Sequence, residues 1–266
     1  MKRILLLLLF TIALVSVQLC SRAEEALSPE VPSAKKLEAD SPEAFLELVR
    51  HPPGRECWAM MSGKIFHRRS GQDTVEAPLY VGIRFTPERS FAQVLINKDE
   101  GYYVGQSYQA SADSTTVIPA IKPGLGKKLL AEFGVRAEDL TMSFLFWKFR
   151  EEQPREDAKG GACRVFLLDS PDGKEFVRVF INIEYHFPVK VEWFKQENSK
   201  APERSLEIGS FRKENDFWVV KSLNLSGEGW RSKMEFDETR AGYSQDMVPK
   251  DLFKSIPGVS SPIAPK

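Results

Sequence analysis

Histidine is scarce in this sequence. His51, His67 and His186 are the only three among 266 residues. None stands at metal-ligand spacing from a cysteine, so the usual tetrahedral zinc arrangements are excluded. Cysteine is equally thin, at three residues. Net charge is absent: 37 basic side chains balance 37 acidic ones. A chain without a basic surplus lacks the electrostatic footprint of a nucleic-acid binder. Catalytic signatures are missing too. There is no nucleophile elbow and no His-Glu-x-x-His. The glycine-rich stretch 122–128 lacks the spacing of a phosphate-binding loop and reads as a helix lead-in. No nucleophile–base pair can be named, which places a hydrolase last among the readings and makes a non-enzymatic protein without a cofactor the expectation. After residue 17 no apolar run is long enough to span a bilayer.

What is present begins with an export signal. Lys2-Arg3 is a charged start, Ile4–Val17 an apolar stretch too short for a membrane span, and Ser21-Arg22-Ala23 a small-x-small cleavage site. Cleavage after Ala23 is expected, with a soluble periplasmic product. The rival reading is lipidation at Cys20, for which Gln18 and Leu19 are poor preceding residues. Removing residues 1–23 leaves Cys57 and Cys163. An even count in an oxidising compartment suggests a disulfide between them, worth about 4 kcal/mol in the chain-entropy model; two buried free thiols are the alternative. Residues 24–40, polar with Pro29 and Pro32, read as a flexible leader, 41–256 as a single domain, and 257–266 as a flexible tail.

The domain starts with a helix. Ser41 is its N-cap, Pro42 takes the first helical position, and Ala44–Arg50 carries Phe45, Leu48 and Val49 on one side. Strands are expected at 57–69, 76–85, 90–96 and 102–108, with a short one at 114–118. Helices are expected at 126–133 and 140–150, the second capped by Asp139 and apolar almost all round, followed by a polar loop at 151–161. Six further strands follow: 162–169, 175–183, 189–195, 204–213, 217–226 and 230–237. They alternate β-branched and aromatic residues, and Asp, Gly, Asn or Pro stands at each break. Connections this short force antiparallel neighbours. The fold class is therefore mainly β (α+β), an antiparallel sheet of about eleven strands with two or three helices to cover one face.

The abundant aromatics, 18 Phe and 5 Trp, either fill the interior of a curved sheet or line an apolar pocket. The lining set on the more apolar strand phase is Val177, Val179 and Ile181, then Val189, Val191 and Trp193, with Phe144 and Trp147 from the helix above. A one-residue slip in a strand would turn its set to the other face.

The stretches Asp139–Trp147, Cys163–Asp169, Phe187–Trp193, Trp218–Lys221 and Trp230–Asp237 carry, in this order, a pattern that resembles the LolA-like outer-membrane lipoprotein-sorting proteins. The resemblance spans roughly 57–253. It implies an unclosed half-barrel with helices plugging its open side. It also implies a monomeric periplasmic carrier taking acyl chains of lipoproteins or lipids from an inner-membrane ABC transporter to an outer-membrane acceptor. In that family an arginine early in the sheet, beside a proline, holds the lid. Arg84 and Arg89 flank Thr86-Pro87 and are the candidates, though neither occupies the family's motif position. A non-enzymatic envelope scaffold with a packed sheet is the alternative function.

Overall fold

The computed structural model describes residues 41–51, 56–109, 114–121, 129–215 and 217–256. The expected export signal with Cys20, the expected leader, the lead-in at 122–128 and the tail lie outside the described residues. Helix α1 (Pro42–Arg50) forms where capping directs it: the Ser41 hydroxyl accepts from the Ala44 amide at 3.2 Å and Pro42 opens the first turn. Its buried side is Phe45, Leu46 and Arg50, with Leu46 deeper than Leu48.

Twelve strands make one antiparallel sheet. They are β1 (Cys57–Arg69), β2 (Val75–Phe85), β3 (Arg89–Ile96), β4 (Glu100–Ser107), β5 (Thr115–Ile121), β6 (Lys148–Ala158), β7 (Gly161–Asp169), β8 (Phe176–Asn182), β9 (Phe187–Phe194), β10 (Arg204–Glu214), β11 (Phe217–Gly227) and β12 (Trp230–Tyr243). The spatial order is β5-β4-β3-β2-β1-β12-β11-β10-β9-β8-β7-β6. The sheet does not close, since β5 and β6 are both edges, and the expected unclosed half-barrel is the architecture found. Two meanders, β1–β5 and β6–β12, join where β12 returns to pair with β1 from Cys57↔Tyr243 to Arg69↔Trp230.

The twelfth strand is β6, expected to be a loop. Its sequence, KFREEQPREDA, has charge on both faces and Pro154. Both features suit an edge, where one side of the backbone needs no partner and charge discourages intermolecular pairing. Its polar side chains also find cations on β7 and β8. Glu152 takes both arms of Arg164 at 2.7 Å, and Gln153 and Glu156 accept from Arg178.

The expected helix 140–150 is replaced by two short pieces. Helix α2 (Ala137–Leu140) ends, Met142 takes a left-handed φ of 55°, Ser143–Phe146 forms one 3-10 turn, and Trp147 is extended into β6. Of the helix expected at 126–133, residues 126–128 lie outside the described residues, and Leu130–Phe133 forms a 3-10 turn ended by left-handed Gly134. A continuous run of large apolar residues meets several walls at once this way, which a straight helix facing one wall does not.

The faces of the sheet are covered differently. On the concave face, α1 and the segment 129–147 pack into the main core. On the convex face, Leu252 and Ile256 of the C-terminal segment close over Trp58, Met60, Tyr80, Leu95 and Tyr103. Main-chain bonds fasten that strap: Tyr80 Oη donates to Leu252 O at 2.7 Å, and Gln93 exchanges bonds with Lys254 at 2.6 and 2.8 Å. The outer half of the β10–β11 hairpin leaves the ladder, because β9 pairs only with Arg204–Glu207 and β12 only with Ser222–Gly227, and it is held by side chains: Arg212 to Asp237 O at 2.7 Å and Phe217 against Tyr243.

The β1–β12 seam is pinned at one glycine. A register shift falls at Ser62/Gly63, and a Cβ on Gly63 would lie 1.8 Å from Glu235 O. That atom is backbone in a paired strand and cannot swing away. Gly63→Ala should cost about 3 kcal/mol, the upper end of overpacking penalties, read as a lowered urea midpoint with unchanged m-value. An unaltered midpoint would show that the seam yields freely.

Candidate functional site

The concave face and its plug form the candidate site. Its floor is apolar by strand alternation: Val177, Val179 and Ile181 on β8, Val191 and Trp193 on β9, and Phe166 and Leu168 on β7 all belong to the main core. The plug contributes Phe45 and Leu46 from α1, Leu130 and Phe133 from the first 3-10 turn, and Phe144, Leu145 and Phe146 from the second. Phe144 meets Trp193 edge-on, ring centroids 5.6 Å apart, and Phe45 stacks on Phe166 at 5.8 Å. Gly134 leaves room for Trp230, whose ring atoms a Cβ there would meet at 2.5 Å.

The fit is tight. Phe45, Phe133, Phe166, Val177, Val179, Ile181 and Val191 are 0 % exposed. No gap wide enough for a water molecule borders them. Two clefts among the described residues lie elsewhere: one of about 360 Å³ under the C-terminal strap, and one of about 320 Å³ at the β1–β2 and β11–β12 turns.

Seven of the eight residues expected to line an apolar cavity do gather here: Phe144, Val177, Val179, Ile181, Val191 and Trp193 in the main core, with Trp147 half-buried against it. Val189 does not. The β8–β9 register shifts between Phe180 and Ile181, so Phe180 pairs with Lys190 while Ile181 pairs with Pro188. That irregularity turns Val189 to the convex side, where it packs on Cys163, Val165 and Phe180.

The lid-arginine candidates also sit elsewhere. Arg84 pairs with Glu56 at 3.1 Å, and Arg89 lies over its neighbour Phe91 beside the Thr86-Pro87 turn. Two other arginines hold the plug. Arg50, buried at the end of α1, donates from Nε to Leu145 O at 2.7 Å and from Nη2 to Trp147 O at 2.9 Å. Arg204, at the start of β10, makes a two-armed ion pair with Asp139 of α2 at 2.6 and 2.9 Å. Both partners of that pair are buried, and the guanidinium lies 4.0 Å over the Trp193 ring. The second Asp139 function is local: Oδ2 accepts from the Arg136 amide at 2.8 Å. The sequence marked Asp139 as a cap, and Arg50 reads as an ordinary basic residue at a helix end. Nothing in the local sequence of either arginine signals a long-range carbonyl or carboxylate partner.

Cys57 and Cys163 are free thiols rather than a disulfide. Their strands are six positions apart in the sheet order. They also face opposite ways: Cys57 shares its side of β1 with Ala59 of the main core, whereas Cys163 belongs to the convex cluster. Burial pushes both thiols up, away from the reactive thiolate. The phenols of Tyr80, Tyr102 and Tyr108 are likewise pushed up, burial being the largest cause of each. Among the described residues no group of three His, Cys, Asp or Glu side chains is placed to hold a metal. No described helix is long and apolar enough to cross a membrane.

No protein-family profile matches the chain, and no curated protein sequence does. Solved structures do. A DUF1329 family protein from Desulfovibrio piger superposes with TM-score 0.55 at 10 % identity, covering 74 % of this chain and 92 % of that one. An outer-membrane lipoprotein-sorting protein domain from Vibrio parahaemolyticus gives 0.55 at 12 % identity, covering 82 % and 97 %. At such identities the likeness is one of architecture: this chain shares the fold of these two proteins.

Proposed function

We propose that the protein is an exported, non-enzymatic carrier of the acyl chains of lipoproteins or lipids, seen here with its plug closed. The observation that carries this reading is the way the plug is held. Side chains from α1 and 129–147 fill the apolar concave face. Arg50 ties these two pieces to each other, and a few polar links join them to the rest of the domain: Asp139 to Arg204, Arg136 to Glu175, the Leu130 amide to Glu100 and Phe133 O to Ser232. A plug of short, separately anchored pieces is suited to leave as a unit. The floor it uncovers is lined with valine, isoleucine, leucine and aromatic side chains, each buried CH₂ of a guest contributing about 0.8 kcal/mol. Transfer from an inner-membrane ABC transporter to an outer-membrane acceptor, with the protein acting as a monomer in the periplasm, belongs to the same proposal. The sorting function named for the Vibrio domain is consistent with it.

A packed envelope scaffold is the second reading, favoured by the absence of any gap around the seven fully buried core residues. One experiment separates them. Apparent affinity for a guest scales with the fraction of molecules that are open. Arg136→Gln removes the two-armed pair that ties segment 129–147 to Glu175 beside β8 and should raise that fraction, tightening the binding of a fluorescent fatty acid by up to about fivefold, the effect of a surface ion pair. If neither wild type nor variant takes up the probe while both stay folded, and native mass spectrometry of periplasmic protein shows no bound acyl species, the carrier reading is wrong and the scaffold stands.

A further inference from the structure

The β1–β2 and β11–β12 turns meet at one end of the sheet, where the Ser70 amide donates to Gly229 O at 2.8 Å. The cleft of about 320 Å³ between them is lined by Arg68, Arg69, Ser70, Gly71, Gly229, Trp230 and Arg231. Its three arginines are exposed. Arg68 and Arg231 stand directly opposite each other in the β1–β12 register, a placement of like charges that weakens a strand pair. Among the described residues none of the three arginines forms an ion pair. The acids of the two turns, Asp73 and Glu228, form none with them either. Arg50, Arg84, Arg136, Arg150, Arg164, Arg178 and Arg204 each meet a carboxylate, and Arg89, Arg212 and Arg240 rest singly on an aromatic ring or a main-chain carbonyl. Three unmatched guanidiniums in one concavity, beside a serine hydroxyl and glycine backbone, are the donor set for a phosphate-class anion.

We propose that this cleft binds a phosphate group, either free or as the headgroup of an anionic phospholipid. It also touches the plug. Arg69 Nε donates to His67 Nε2 at 3.3 Å, which leaves Nδ1–H to bond Ser232 Oγ at 2.8 Å; Ser232 in turn donates to Phe133 O of the plug. An anion that draws Arg69 outward acts on the first link of that chain. The site stands on its own donors and does not require the concave face to be a carrier cavity.

The test uses the full-length mature protein, inorganic phosphate, and vesicles of phosphatidylcholine with and without phosphatidylglycerol. Wild type should bind the anionic vesicles and not the neutral ones, and phosphate should raise its Tm saturably. Arg68→Gln/Arg231→Gln should weaken anionic-vesicle binding about thirtyfold, the effect of two basic residues at a charged surface, and abolish the phosphate response. Its own Tm without ligand should be equal or higher, because the opposed charges are gone. Lys213→Gln/Lys221→Gln, on the outer β10–β11 hairpin, removes the same charge and should change binding less than about threefold, the effect expected of charges remote from the site and screened by salt. Phosphate without vesicle binding would assign a free anion; both together would assign a headgroup. Neither response, an equal loss in the lysine variant, or a destabilised arginine variant would each overturn the site.

Discussion

Asp139→Ala should unfold this protein about 3–5 kcal/mol more easily than wild type. The carboxylate and the Arg204 guanidinium are both buried and joined by two bonds of 2.6 and 2.9 Å. Deleting one partner leaves a cation stranded in the core, where it recovers neither water nor a counter-charge. The Arg136 amide loses its acceptor as well. Replacing both partners tests the cause. Asp139→Ala with Arg204→Met removes the stranded charge and keeps apolar volume over Trp193, so the double variant should be more stable than Asp139→Ala alone. Urea denaturation of the three variants gives the comparison. A double variant as weak as the sum of the singles would mean that the pair contributes only shape.

Trp193→Ala should cost about as much, 3–5 kcal/mol, the range for deleting a large buried aromatic. Trp193 is among the largest fully enclosed side chains. It supports Phe144 of the plug edge-on at 5.6 Å and Arg204 face-on at 4.0 Å. Its loss therefore removes floor, plug contact and latch support together. Phe144→Ala alone should cost a similar amount, and the double variant should fall short of the sum by about 0.5–1.5 kcal/mol, the usual coupling of an aromatic pair. Additive losses would show that the plug rests on this part of the floor without specific contact.

The strand ladder was legible because its cues are local. Expected and observed bounds for β1 coincide at residues 57–69, and those of β2 to β4 and β7 to β11 differ by no more than two residues at either end. In each, alternation sets the faces and a turn residue sets the break. β6 was not legible, because its charged residues become strand-like only once Arg164 and Arg178 of later strands stand beside them. The segment 140–150 misled because a run of Leu, Met, Phe and Trp fits any buried element. Whether it becomes a helix depends on which walls it must meet, and here Met142 reverses the backbone to reach several.

Site residues divide the same way. Alternation in β8 and in the end of β9 placed Val177, Val179, Ile181, Val191 and Trp193 on one face, and a single irregularity in pairing removed Val189 from it. The cysteine count suggested a bridge that strand order and facing prevent. Periodicity, turns and the capping of α1 by Ser41 act over a few residues, so the sequence by itself determined the mainly β architecture and most of its strand bounds. Only the tertiary structure decided that the concave face is filled, that Arg50 and Arg204 hold the filling, and that Arg68, Arg69 and Arg231 share a cleft. Those outcomes depend on contacts between residues roughly 65 to 165 positions apart, and no local pattern encodes which distant backbone or charge a side chain will meet.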